Sequence, residues 1–442
     1  MATLRIIKKS CQVNTLKKSP LLGASMVFLG IDGALSLHHG SQGCTAFTKN
    51  LLTAHFREIT PMQTTAASDI ATILGSSNLD EGLINIIKKH NPSLIAILST
   101  GLVETRGDDI GGEIRDFFEL HPEYNNLSIV HVSTPDFKGD AESGYTNAVC
   151  SVVESLIAKN NHMNKKQVNV LASMMLTPGD IDEIKEIITS FGLTPIVLPD
   201  LSSMSGETDH YYTTPEGGVS VNNLSEMSNS MYTIAIGHSM TKPAEIINRK
   251  FNIPYKVFNS LTGVMPVDQL LSFLSEISNE PVSDKYVIQR KRLIDAMLDS
   301  HFYFGGKKIA IGLEPDHLYA ITYFIKTELG INIECAITTC DSNIIEQVPV
   351  FEVMIGDLED LENNVGKANL IMTNSNGKIA AERKSLPLYR VGLPIKDMLG
   401  YQLKCFIGYK GSANLTYDIG NIFMEEDEEC SHKKPDIKEI SL

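Results

Sequence analysis

Short apolar, β-branched runs alternate with longer stretches of helical periodicity along this chain. Leu94–Leu98 (LIAIL) is one such run. A short continuous apolar segment of this kind predicts a strand buried on both faces. A helix over Asn78–His90 precedes it, with Leu79, Leu83, Ile86 and Ile87 on one face, Asn78 at the capping position and Pro92 as the stop. Ser128–Val132, Val168–Ala172, Pro195–Leu198 and Thr233–Ile236 predict further strands, with a helix over Asp180–Phe191. The theme restarts after a long helix over Tyr286–Leu298. Lys308–Ile311 predicts a strand, and a helix runs from Glu314-Pro315-Asp316 to Leu329, where Gly330 stops it. Asn332–Ala336, Val350–Ile355 and Leu370–Thr373 continue the series of strands. Strands alternating with helices imply parallel sheets covered on both faces. The fold class expected is α/β: three Rossmann-like domains over 1–165, 166–295 and 296–442. The last ends in a helix and an acidic run, Glu425–Glu429, expected to be solvated.

Composition narrows the function classes. At 442 residues the chain is longer than one core usually serves, and 43% hydrophobic with 21% charged residues describes a folded, soluble protein. A net charge of -15 disfavours general nucleic-acid binding, which needs a basic face. No apolar run is long enough for a membrane helix, and Met1–Ser19 lacks the apolar centre of a secretory signal. The seven cysteines (Cys11, Cys44, Cys150, Cys335, Cys340, Cys405, Cys430) are scattered and odd in number, unlike a secreted disulfide framework. A reducing cytoplasm is the expected compartment.

Cys44 has the richest surroundings, His38-His39-Gly40-Ser41-Gln42-Gly43-Cys44-Thr45-Ala46-Phe47. Ser41 can cap a helix towards Phe56, with Phe47, Leu51, Leu52 and Phe56 facing the core. Cys44 then lies in the first turn, where free N–H groups favour a thiolate. Gly40 and Gly43 would let backbone approach a bulky inorganic cluster. The competing reading is a structural core cysteine. A cubane cluster usually takes four thiolates, and the chain has no C-x₂-C-x₂-C run. Cys335 and Cys340 read as core packing, and Cys11 is a weaker ligand candidate. His38 and His39 would point opposite ways in an extended segment, which suits packing or support roles.

The HGSQGCTAF turn, with Leu21-Leu22-Gly23-Ala24, His55-Phe56-Arg57-Glu58, Thr64–Asp69 and Ser99–Asp109, resembles the β-type subunits of the nitrogenase component family. Later segments keep the family's order: Leu293–His301, Gly312-Leu313-Glu314-Pro315-Asp316, Asn374-Ser375-Asn376-Gly377, Gly392-Leu393-Pro394, and Gly408-Tyr409-Lys410-Gly411 with Asn421. Where the catalytic β subunit has two further cysteines, this chain has Ser19 and Leu102. That difference resembles the β-type subunit of the scaffold on which the iron–molybdenum cofactor is matured.

The resemblance implies a scaffold subunit with no catalysis of its own. It implies an α₂β₂ heterotetramer with a NifE-type partner and an Fe₄S₄ cluster at each interface, with Cys44 as this chain's one thiolate and three from NifE. The cofactor precursor, supplied by NifB, would be held mainly by the partner. The nitrogenase iron protein NifH would dock transiently; Arg106-Gly107-Asp108-Asp109 either faces it or caps the following helix. No catalytic or precursor-binding residue is assigned to this chain.

Three alternatives stand beside that expectation. A catalytic nitrogenase β subunit would need the thiolates that Ser19 and Leu102 replace. A nitrogenase-like tetrapyrrole reductase subunit would share the fold. A nucleotide- or metabolite-binding protein would want a glycine-rich phosphate loop, but Gly-x-Gly-x-x-Gly and Gly-x-x-x-x-Gly-Lys-[Ser/Thr] are absent, and Gly305-Gly306-Lys307-Lys308 precedes a strand where such a loop would follow one.

Overall fold

The computed structural model describes residues 2–7, 9, 13–66, 78–159, 163–204 and 214–432. Cys11, Ala67–Asp69 of the Thr64–Asp69 segment, and Lys433 and Lys434 lie outside the described residues. The strands are β1 (Thr3–Ile6), β2 (Ala34–Gly40), β3 (Met62–Ala66), β4 (Leu94–Ser99), β5 (Ser128–Ser133), β6 (Asn164–Ala172), β7 (Thr194–Leu198), β8 (Ser230–Ile236), β9 (Tyr255–Phe258), β10 (Lys308–Gly312), β11 (Asn332–Thr338), β12 (Glu352–Ile355), β13 (Leu370–Thr373) and β14 (Leu388–Arg390). They form three sheets in the orders β3-β2-β4-β5, β7-β6-β8-β9 and β1-β12-β11-β10-β13-β14. Every pairing between them is parallel.

The two-residue period of a strand sends neighbouring side chains to opposite cores. In the first sheet Leu35, Leu37, Ile95 and Ile97 pack with Leu79, Leu83, Val103 and Phe117. Their alternates Ala34, Leu94, Ala96 and Leu98 pack with Leu22, Met26, Leu52 and Phe56. Helices thus cover both faces, as a parallel sheet requires. The third sheet is divided the same way, with Ile309 and Ile311 on one side and Ala310, Ile337 and Ile371 on the other.

Helix α1 (Pro20–Leu29) is buried along its whole length and sits beneath the first sheet. It packs closely on the helix Ala141–Leu156. A Cβ at Gly23 would lie 1.8 Å from the Ala141 carbonyl oxygen, and one at Gly144 would lie 2.0 Å from the Pro20 carbonyl oxygen. Only glycine permits that approach.

Several expectations shift. The helix expected over Asp180–Phe191 spans Pro178–Thr189, because Thr177 and Asp180 close a capping box of 3.0 and 2.9 Å bonds. The helix after β10 runs Pro315–Tyr323 and then widens into a π turn, Phe324–Glu328. The acidic run is not a loose end: it belongs to the helix Gly408–His432, where Lys307 Nζ reaches Glu426 at 2.8 Å and Asp427 at 2.7 Å. Among the described residues no helix is long and apolar enough to cross a membrane.

Candidate metal centre at Cys44

The loops that carry Cys44 and Leu102 leave adjacent strand ends. From β2 the chain goes to β3 on one side, and from β4 it goes to β5 on the other. The carboxyl ends of β2 and β4 therefore flank the point where the connections diverge, the usual ligand crevice of an open parallel sheet. The Thr100 N–H donates to the His39 carbonyl oxygen at 3.0 Å and ties the two ends together.

Helix α2 (Gln42–Phe56) begins just beyond β2, with Cys44 as its third residue. The sulfur is half-buried, outside the fully buried core. The two glycines do different things. Gly40 has φ +137°, and a Cβ there would lie 1.9 Å from Thr100 Oγ1, so its bareness accommodates Thr100. At Gly43 an added Cβ would meet only Ser41 Oγ, at 3.7 Å, so the backbone beside the sulfur faces open space.

The thiolate expected at the helix start meets opposing influences in the free chain, its own backbone N–H favouring it. Burial, then the charge of Asp136, raises the Cys44 thiol above its ordinary value, while a hydrogen bond from Ser41 works the other way. Asp136 follows β5 and comes within 3.7 Å of where a Cβ on Gly101 would stand. Sequence reading missed it, because only the β4–β5 pairing brings it to the site.

The buried stripe of α2 is Thr45, Thr48, Leu52, His55 and Phe56. Phe47, assigned to the core by periodicity, is 59% exposed. Leu102 is 41% exposed and Phe137, next to Asp136, is 70% exposed. These apolar side chains come from the same three segments that surround Cys44. Ser19 instead caps α1, its Oγ accepting from the Leu22 N–H at 3.4 Å.

His38 and His39 do point opposite ways. His38 Nε2 meets Ser25 Oγ of α1 at 2.9 Å, and His39 Nδ1 meets Thr65 Oγ1 of β3 at 2.7 Å. Burial lowers both, His38 to about 3. His39 Nε2 lies 3.9 Å from Asp108, which Arg106 Nε holds at 2.6 Å. Asp109 caps the following helix by accepting from the Gly112 N–H at 2.9 Å.

Cys150 and Cys335 are core residues, and Cys405 donates to the Ile407 carbonyl oxygen at 3.3 Å. Among the described residues no three His, Cys, Asp or Glu side chains gather as metal ligands.

Residues 19–424 match the family model for nitrogenase component 1 type oxidoreductases. The curated relatives are more specific. An iron–molybdenum cofactor biosynthesis protein NifN from Nostoc sp. strain PCC 7120 is 45% identical, covering 97% of each chain. NifN from Bradyrhizobium diazoefficiens is 42% identical over 99% of this chain and 94% of its own. This chain belongs to the NifN group of the nitrogenase component 1 family. A solved nitrogenase Cp1 chain superposes with a TM-score of 0.90 at 28% identity, covering 96% of this chain and 95% of that one.

Proposed function

We propose that this chain is the β-type subunit of the scaffold that matures the iron–molybdenum cofactor, and that Cys44 gives one thiolate to an Fe₄S₄ cluster shared with a NifE-type partner. The carrying observation is the setting of Cys44: a partly buried sulfur at a helix start, at the divergence point of a parallel sheet, with exposed Phe47, Leu102 and Phe137 on the segments that leave β2, β4 and β5. The likeness to curated NifN proteins over nearly the whole chain supports the scaffold role. Cubane clusters usually take four thiolates, and in this reading the other three come from the partner.

In this reading the complex is an α₂β₂ heterotetramer in the cytoplasm, without catalysis by this subunit alone. Its three α/β units correspond to about 1–165, 166–295 and 296–442, with β1 lent to the third. The precursor delivered by NifB rests mainly on the partner, and NifH docks transiently. A bound cluster would supply electron transfer. The protein's part is to present Cys44 Sγ, orient it through Ser41, and exclude water with those apolar side chains once the partner is seated.

Cys44→Ala in the co-purified pair should remove most of the iron of the shared cluster and its electron paramagnetic resonance signal. Unchanged iron and an unchanged signal would exclude Cys44 as a ligand. The chain expressed alone should hold little cluster; a stoichiometric Fe₄S₄ cluster on the isolated subunit would contradict sharing.

A further inference from the structure

A second set of reactive groups lies where all three sheets meet. Asp140 caps the helix Ala141–Leu156, accepting from the Ser143 N–H at 3.0 Å, and Glu142 stands in that helix's first turn. Glu314 and Asp316 flank Pro315 at the start of the helix after β10. The four carboxyl groups are all buried, Asp140 at 1%, Glu142 at 7%, Glu314 at 3% and Asp316 at 1% exposure.

Hydrogen bonds through these groups join the sheets. The Asp316 N–H donates to Glu142 Oε2 at 3.0 Å, linking the third unit to the first. The Ser239 N–H, beyond β8, donates to Asp316 Oδ2 at 3.0 Å and links the second to the third. The Thr339 hydroxyl, beyond β11, donates to Asp140 Oδ2. Gly237 allows the approach: with φ +91°, a Cβ there would lie 2.4 Å from Asp316 Oδ2.

Glu314 is the odd member. Its Oε1 is buried without a hydrogen-bond partner. It lines a cavity of about 20 Å³ shared with Glu142, His317, His55 and Tyr401, room for roughly one water. The groups that face it come from every side: Asp140 and Glu142 from the Ala141 helix, Lys18 from the segment before α1, His55 from α2, Tyr401 from the turn Tyr401–Leu403, and Asp316 and His317 from its own helix.

We propose that this junction is a proton-sensitive latch, in which the three sheets dock most tightly while Glu314 carries its proton and loosen as it ionises. A neutral carboxyl suits a small enclosed cavity, whereas a carboxylate with an unpaired oxygen beside two other acids does not. Burial pushes Glu314 up to about 7; Asp140 adds to this, and its own backbone N–H and Lys18 oppose it. The sign follows from linkage. Below the ordinary glutamate value of 4.5 both states are protonated and the contribution is complete. Between 4.5 and about 7 the unfolded chain releases the proton and the folded chain keeps it, so stability falls as pH rises. Burial lowers Lys18 to about 8, so its contribution changes only above the Glu314 window, and there stability rises with pH.

The test is urea denaturation of the full-length chain at pH 5 and pH 8, native against Glu314→Gln. Gln mimics the protonated acid. The native folding constant should fall over that interval by on the order of ten- to a hundredfold more than that of the variant, and the variant should be the more stable at pH 8. Equal losses in the two chains would overturn the latch. If Glu314→Gln does not fold, amide exchange at Ser239 and Asp316 in the native chain decides. After correction for intrinsic rates, more frequent opening at pH 8 than at pH 5.5 supports the latch, and equal opening refutes it.

Discussion

The Cys44 turn and the Glu314 junction are built from the same parts and meet opposite fates. Each lies at the carboxyl end of a strand where a parallel sheet's connections diverge, β2 beside β4 in one case and β10 beside β13 in the other. Each opens a helix. At Cys44 the turn beyond β2, Ser41-Gln42-Gly43, is exposed, and Phe47, Leu102 and Phe137 stay exposed with it. At Glu314 the other two sheets close over the strand end, and four acids are sealed with one unpartnered oxygen. Topology supplies a crevice in both places. What covers the crevice decides whether its apolar side chains stay exposed or its acids are sealed in.

The comparison can be broken at its most rigid point first. Gly40→Ala should destabilise the free chain by about 3 kcal/mol, since the new Cβ meets Thr100 and φ is +137°. Urea denaturation reads this; a loss below about 1 kcal/mol would mean the strand ends at Cys44 are as yielding as a loop. Asp140→Asn sharpens the other side. Asn still caps the helix, so the cost at neutral pH should stay under about 1 kcal/mol. Removing the charge that raises Glu314 should move the steep part of the stability–pH curve to lower pH. An unmoved curve would detach Asp140 from the junction. The smallest effect belongs to Phe47→Ser, within about 0.5 kcal/mol for the isolated chain because the ring is exposed there. The same change should weaken association with the partner in sedimentation or pull-down titrations, and unaltered affinity would move the interface away from α2.

Much of the fold was legible because burial on two faces writes an unmistakable pattern. Leu94–Leu98, Val168–Ala172 and Leu370–Thr373 carry it and are strands, although β6 starts earlier, at Asn164, with three exposed polar residues that the pattern does not mark. β2 escaped because Ser36, His38 and His39 interrupt its apolar run, although each is buried and both histidines are hydrogen-bonded. Phe47 misled because helical periodicity fixes which residues share a face and leaves open which face turns inwards. At the candidate site Cys44 could be picked from its glycines and helix start. Asp136 and Phe137 could not, since they arrive from another strand. The acids of the junction are spread from Asp140 to Asp316, and only packing of three sheets reveals them as one group.

β1 carries a consequence for synthesis. Thr3 pairs with Glu352, so β1 finds its neighbour only after all the intervening chain has been made. At roughly 5–20 residues per second that wait is on the order of a minute or less, but it is far longer than the time a hairpin needs to form. That edge of the third sheet is therefore closed by the sheet's oldest piece, which becomes possible once β12 has been made.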